Sequence, residues 1–328
     1  MHEVIEAVID ETGQIVSTKP LRFSQPRRAF IIILDETNDP ASAETLTYVP
    51  TPPLSEGVGR YRIDRMLRDG GMSHVFTGTD LQSGQDVCIK HLRSNLHSSL
   101  IVQEWHTLAR IDSPHVVRFL DRYDHGGTIH LVMEFISGQT LANSLNGGLT
   151  LRETAWLGYA LMQGIRAIHK LHVIHCDLTP QNVILQTLPT ESHKCPWIPK
   201  IIDFGLAILD SRDADGRLTA CGRIAGTPRY MAPEQFDGWM LSPACDIYAF
   251  GLILWEAITG RHAFEGDFRA LRAAKANQVG GLRLPLDGYN VPSEIGELLE
   301  RCTDPDPAKR PSSEEAIQQL DSWLKAVN

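Results

Sequence analysis

The chain has 328 residues, 42% of them hydrophobic and 22% charged, which fits a globular protein with room for a two-lobed domain and an appendage. Its 31 basic against 40 acidic residues give a net charge of −9, which argues against sequence-independent binding of the whole chain to nucleic acid or an anionic membrane. Six cysteines, at 88, 176, 195, 221, 245 and 302, form no Cys-x-x-Cys pair and read as reduced thiols of a cytoplasmic protein.

From the N-terminus, Ile5, Ala7 and Ile9 alternate with Glu6, Val8 and Asp10, the period of a half-buried strand. Glu11-Thr12-Gly13 supplies a turn, Ile15 and Val16 begin a return strand, and Ala29–Leu34 reads as a further strand. Glu3, Glu6, Asp10 and Glu11 break up any leader, and apolar runs such as Phe30–Leu34 are strand-sized, so no membrane anchor is expected. This layout over residues 1–35 loosely resembles small β modules of bacterial antitoxins. The resemblance implies dimerisation, or docking to a toxin or to DNA. The alternative is an extension that packs on the rest of the chain, with Lys19, Arg22, Arg27 and Arg28 as a solvated face. Residues 36–56 carry Pro40, Pro50, Pro52 and Pro53 among polar residues, the composition of a linker.

A globular region then runs over 57–328. Residues 67–75 read L-R-D-G-G-M-S-H-V, a hairpin whose Gly70 and Gly71 let backbone N–H groups approach a ligand without Cβ obstruction. Val87-Cys88-Ile89-Lys90 follows as a strand. Ser98-Ser99 is positioned to cap a helix with apolar residues at 101, 105 and 108 that carries Glu104. Met133-Glu134-Phe135-Ile136 is a further apolar segment, and 151–171 has helical periodicity. Residues 175–182 read H-C-D-L-T-P-Q-N, D-F-G stands at 203–205, and G-T-P-R-Y-M-A-P-E occupies 226–234.

An aspartate, an asparagine five residues on and a second aspartate before Phe-Gly resemble the catalytic set of bacterial (Hanks-type) serine/threonine protein kinases. The match covers about 270 residues in order. It implies an α+β fold with a small β-rich N-lobe and a large helical C-lobe. It also implies ATP and Mg²⁺ (or Mn²⁺) as cofactors, a protein substrate with a Ser or Thr acceptor, and autophosphorylation. By resemblance, Gly70, Gly71, Met72 and Ser73 cover the phosphates. Lys90 holds them, oriented by Glu104. Val75, Cys88 and Ile184 enclose adenine, Met133 guards the back pocket, and backbone groups of Glu134 and Ile136 bond the base. Asp177 accepts the substrate hydroxyl proton, and Asn182 and Asp203 are the hard oxygen ligands of Mg²⁺. Taken alone, Lys90 reads as a surface strand lysine, Glu104 as a helix-surface glutamate and Cys88 as an inert buried thiol. Glu234 is expected to pair with Arg310, and Asp246 and Gly251 to anchor the catalytic loop.

Two departures bear on activity. Cys176 stands where many kinases have an arginine that binds a phosphorylated activation loop, so activity independent of phosphorylation at Ser211 or Thr219 is expected. Thr179 stands where serine/threonine kinases have a lysine for the γ-phosphate, and residue 181 is Gln. Arg68 or Arg229 are the candidates to supply that charge. The opposing reading is a pseudokinase, an ATP-binding scaffold with weak or no transfer. About eight extra residues around 189–199 include His193 and Cys195, too few ligands for a metal site, and read as a solvent loop.

Overall fold

The computed structural model describes residues 7–9, 15–17, 59–69, 73–92, 107–125, 128–188, 195–204, 207–209, 227–237, 241–284 and 288–327. They fall in two compact units, Met1–Glu44 and Thr45–Asn328. In the first, β1 (Ala7–Ile9) pairs antiparallel with β2 (Ile15–Ser17), Val8 facing Val16. The expected 11–13 turn, the 29–34 strand and the 36–56 linker lie outside the described residues.

In the second unit five strands form one antiparallel sheet in the order β3-β4-β5-β7-β6. These are β3 (Tyr61–Asp69), β4 (Ser73–Asp80), β5 (Asp86–Leu92), β6 (Phe119–His125) and β7 (Thr128–Glu134). The period of two along each strand sorts side chains between the faces. Tyr61, Ile63, Phe76, Val87, Ile89 and Val132 bury together on one face, each contributing roughly 1.5–3 kcal/mol before conformational entropy is subtracted. The register sets Val75 opposite Lys90, Lys90 opposite Leu131 and Cys88 opposite Met133, so these residues share the other face.

The C-terminal part is helical: α1 (Leu141–Leu145), α2 (Leu151–His169), α3 (Ala244–Thr259), α4 (Phe268–Ala276), α5 (Ser293–Cys302) and α6 (Ser313–Ala326). α2 begins where a capping box permits. Thr150 Oγ1 accepts from Glu153 N (3.3 Å), and Glu153 accepts from Thr150 N (2.9 Å). α3 is apolar nearly all round and runs through the main core, packed by α2 and α5. At Gly251 a Cβ would lie 2.7 Å from Thr303 Cγ2 and 2.9 Å from Cys302 Cβ, so α3 meets the end of α5 only because that position is glycine.

Two small sheets deliver the loops. β8 (Gly138–Thr140), β10 (Val183–Thr187) and β11 (Trp197–Ile201) pair in the order β11-β10-β8, and β9 (Val173–Ile174) pairs with β12 (Ile208–Leu209). The loop 175–182 is therefore bracketed by β9 and β10, with a 3₁₀ turn at Pro180–Asn182, and Asp203 follows β11. Among the described residues no helix is long and apolar enough to cross a membrane.

Candidate active site

Lys90 projects from the β5 face that also carries Cys88 and, through the register, Val75 and Met133. Its ammonium is almost fully buried and donates to Asp203 Oδ1, while Arg68 Nη1 stands 4.0 Å from Asp203 Oδ2. The expected ligand residues Gly70, Gly71 and Met72, and the expected lysine partner Glu104, lie outside the described residues. Burial pushes the Cys88 thiol up to about 11, with Lys90 pulling it down and Asp203 pushing it further up, so it is an inert thiol at neutral pH. Ser73 opens β4, Ile184 lies half-buried on β10, and Met133 and Ile136 are buried in the core.

Glu134 has a structural task that its sequence position did not announce. Its side chain accepts from Arg118 N (2.9 Å) and Lys200 Nζ (2.7 Å), and its backbone N–H donates to Arg118 O (3.0 Å). The segment after β7 is thus tied to the strand leading into Asp203.

The loop 175–182 is held from below by one carboxylate. Asp246, on the first turn of α3, accepts from His175 N (2.9 Å) and Cys176 N (3.0 Å) and bonds His169 Nε2 (2.9 Å). Burial by itself would raise this carboxyl. The bonds and charges of His169 and His175 outweigh it and hold the group below the usual carboxylate range. Cys176 sits at φ +65° and Asp203 at φ +64°, left-handed conformations that cost non-glycine residues about 1–3 kcal/mol each and persist because their surroundings over-determine them. At Cys176 those surroundings are Asp246 on its N–H and Gln235 Nε2, 2.7 Å from its carbonyl.

His175 links the two aspartate-bearing segments. Its Nε2 lies 3.0 Å from Ile202 O, and its Nδ1 accepts from Asp177 N (3.3 Å). A carbonyl on one side and an N–H on the other select the tautomer protonated at Nε2. Phe204 packs edge-on against His175, with ring centroids 4.9 Å apart, and against Phe119 at 5.7 Å.

Asp177 is clamped on both oxygens. Asn182 Nδ2 donates to Asp177 O (2.9 Å) and Oδ2 (3.1 Å). Thr227 donates to Oδ1 from its backbone N (2.8 Å) and its hydroxyl (3.0 Å). Thr227 was not singled out from the sequence beyond its place in G-T-P-R-Y. Thr179 is buried, and its carbonyl accepts from Asn182 N (3.0 Å). Of the two arginines considered as its substitutes, Arg68 faces Asp203, whereas Arg229 Nη1 lies 3.0 Å from His262 Nε2. Glu234 and Arg310 form the expected pair, with two bonds of 2.6 and 2.9 Å; Arg310 also donates to Ala244 O (2.9 Å) and Asp304 O (2.8 Å).

With Asn182 Nδ2 turned to Asp177, its amide oxygen is oriented to offer its lone pairs to a cation, and Asp203 adds a partly exposed carboxylate. Two hard oxygen ligands suit Mg²⁺, which takes few protein ligands and completes its octahedron with water and phosphate. Among the described residues no group of three or more His, Cys, Asp or Glu is arranged to hold a metal.

The protein kinase domain family matches residues 61–323. The chain is 32% identical over 265 residues to serine/threonine-protein kinase pkn2 of Myxococcus xanthus, covering 78% of this chain and 31% of that protein. It is 31% identical over 296 residues to pkn3 of the same organism (85% and 52% covered). It is 35% identical over 281 residues to serine/threonine-protein kinase PkaA of Streptomyces coelicolor (83% and 49% covered). The chain thus spans about a third to a half of the length of the curated relatives it matches.

Proposed function

The chain belongs to the protein kinase family, and from that premise we propose that it is a serine/threonine protein kinase. It transfers the γ-phosphoryl of Mg-ATP to protein Ser or Thr hydroxyls, its own included. The observation that carries this reading is the double clamp on Asp177 by Asn182 and Thr227, beside the Lys90–Asp203 pair.

Each residue then has a task. Lys90 neutralises phosphate oxygens, with Glu104 as its expected partner. Asn182 and Asp203 would hold a divalent cation, which would supply charge stabilisation to the phosphates when bound. Asp177, fixed on both sides, accepts a hydrogen bond from the acceptor hydroxyl and takes its proton as the new P–O bond forms and the bond from the γ-phosphorus to the bridging oxygen breaks, releasing ADP. Gly70, Gly71, Met72 and Ser73 cover the phosphates. Val75, Cys88, Ile184 and Met133 enclose adenine, and the Glu134 carbonyl and the Ile136 backbone bond its edge. Arg68, close to Asp203, supplies the charge that Thr179 lacks. We place the chain in the cytoplasm, and give the N-terminal unit the role of docking a toxin or antitoxin partner or a second copy.

Thr179 favours one rival, an ATP-binding scaffold without transfer, because no basic residue replaces the lysine in that loop. Labelled γ-phosphate transfer onto the chain, with Asp203→Asn as control and mapping of the label, separates the two. Label on Ser or Thr in the parent chain alone is the expected result. No label on the chain or on an added acceptor, with nucleotide still raising the melting temperature, would overturn the kinase reading in favour of the scaffold.

A further inference from the structure

α4 turns its two buried residues, Leu271 and Lys275, to one side, four apart and therefore on one helical face. Leu271 packs with Met231 and Phe236. Lys275 is 0% exposed, an unusual place for an ammonium, and burial pushes it down to about 7 against the opposing pull of Glu234. Its Nζ donates to Pro228 O (3.1 Å), Arg229 O (2.7 Å) and Met231 O (2.6 Å). The faces of Phe264, Tyr248 and Phe236 surround the same nitrogen at 5.1, 5.4 and 5.7 Å.

Three donors meeting three carbonyls use the whole hydrogen-bonding capacity of an ammonium. All three carbonyls belong to one segment, 228–231, and that segment directly follows Thr227, the residue bonded to Asp177. Tyr230 N and Met231 N both donate back to Thr227 O (3.0 and 3.2 Å). The chain of contacts is continuous: Lys275, the carbonyls of 228–231, the turn on Thr227, and Thr227 on Asp177 Oδ1.

We infer that Lys275 is a positioning residue, a buried cationic hub that shapes the 227–231 loop so that an acceptor segment is received against it and Thr227 reaches Asp177. A helix-borne cation inside the core costs desolvation, and that cost is compensated only where the carbonyls converge. The loop therefore has one low-energy shape, carbonyls inward. The lysine touches neither nucleotide nor acceptor; it acts through backbone. Its effect on acceptor binding rests on the kinase reading above, whereas its hold on the loop does not.

The test uses the full chain and Lys275→Met, which keeps the length of the stem and removes all three donors. Hydrogen exchange read by mass spectrometry is expected to speed up at the amides of 227 and 229–231 while α3 stays protected. With myelin basic protein as acceptor, the acceptor KM is expected to rise about tenfold or more, the loss of charge-assisted bonds, while the ATP KM stays within about twofold. Unchanged exchange at 227–231, or equal changes in both KM values, would overturn the inference. If the parent chain transfers no phosphate, the kinase reading fails and the exchange comparison still decides the hold on the loop. If Lys275→Met does not fold, Lys275→Gln, which keeps an amide donor for two of the carbonyls, is read in the same way with a smaller expected change.

Discussion

Asp246 moves no proton to substrate, yet it holds the backbone of His175 and Cys176 and the ring of His169 from inside the core. Asp246→Asn replaces an acceptor-only carboxylate by an amide that can satisfy fewer of these donors. The expected loss is about 3–5 kcal/mol of stability, the cost of breaking a buried charged pair, read by urea denaturation. The group is depressed in the folded chain, so the sign follows directly. Its stabilisation is complete above the unfolded aspartate value of about 4 and is lost as pH falls through the lower folded value. The urea midpoint of the parent chain should therefore drop more steeply than that of Asp246→Asn when pH is taken well below 4. Thr227 offers a cleaner catalytic reading. Thr227→Val keeps the backbone bond to Asp177 and removes the hydroxyl bond, and should cut kcat about tenfold, one hydrogen bond to a charged group; Thr227→Ser should recover most of it. At position 176 the carbonyl is held by Gln235 and the N–H by Asp246, with no arginine to receive a phosphate. Changing both Ser211 and Thr219 to alanine should accordingly leave transfer to an added acceptor within about threefold, checked by initial rates.

Elements bring these residues together by register and by helix face. β5 carries Lys90 on the face away from Val87 and Ile89, so the apolar alternation that buries one side of the sheet also aims the lysine to the other. β9 and β10 bracket the catalytic loop, and α3 supplies its anchor from the first turn, where an acidic residue also suits the helix dipole. α3 is packed tightly at Gly251. Gly251→Ala would force its new methyl into Thr303 and Cys302, and should lower stability by about 1–3 kcal/mol, visible as a reduced melting temperature with the ATP KM little changed. The helix over 151–171 was legible because its apolar spacing is a local signal, set by residues three and four apart. The burial of Lys275 was not. A lysine on an amphipathic helix reads as solvated, and only the convergence of 228–231 on that face makes a place for its charge.

At the scale of the whole chain, Met1–Glu44 and Thr45–Asn328 are separate compact units. Removal of residues 1–44 should leave a chain that melts cooperatively and retains phosphate transfer, measured by circular dichroism and by the labelled assay. Residues 1–56 expressed alone should capture the docked partner or a second copy; binding of nothing, with an unchanged oligomeric state after deletion, would remove the docking role. The resemblance carried by the order and spacing of motifs along 57–328 already implied a two-lobed α+β kinase fold and singled out Lys90, Asp177, Asn182 and Asp203. What those spacings could not convey is who holds each group. Lys90 meets Asp203 across 113 positions, Asp177 meets Thr227 across 50 and Lys275 meets Met231 across 44, whereas the hold of Asp246 on the catalytic loop was already implied by the family resemblance. Such partners are chosen by packing, which brings distant segments into a low-dielectric interior where every charge and every N–H must find its counterpart.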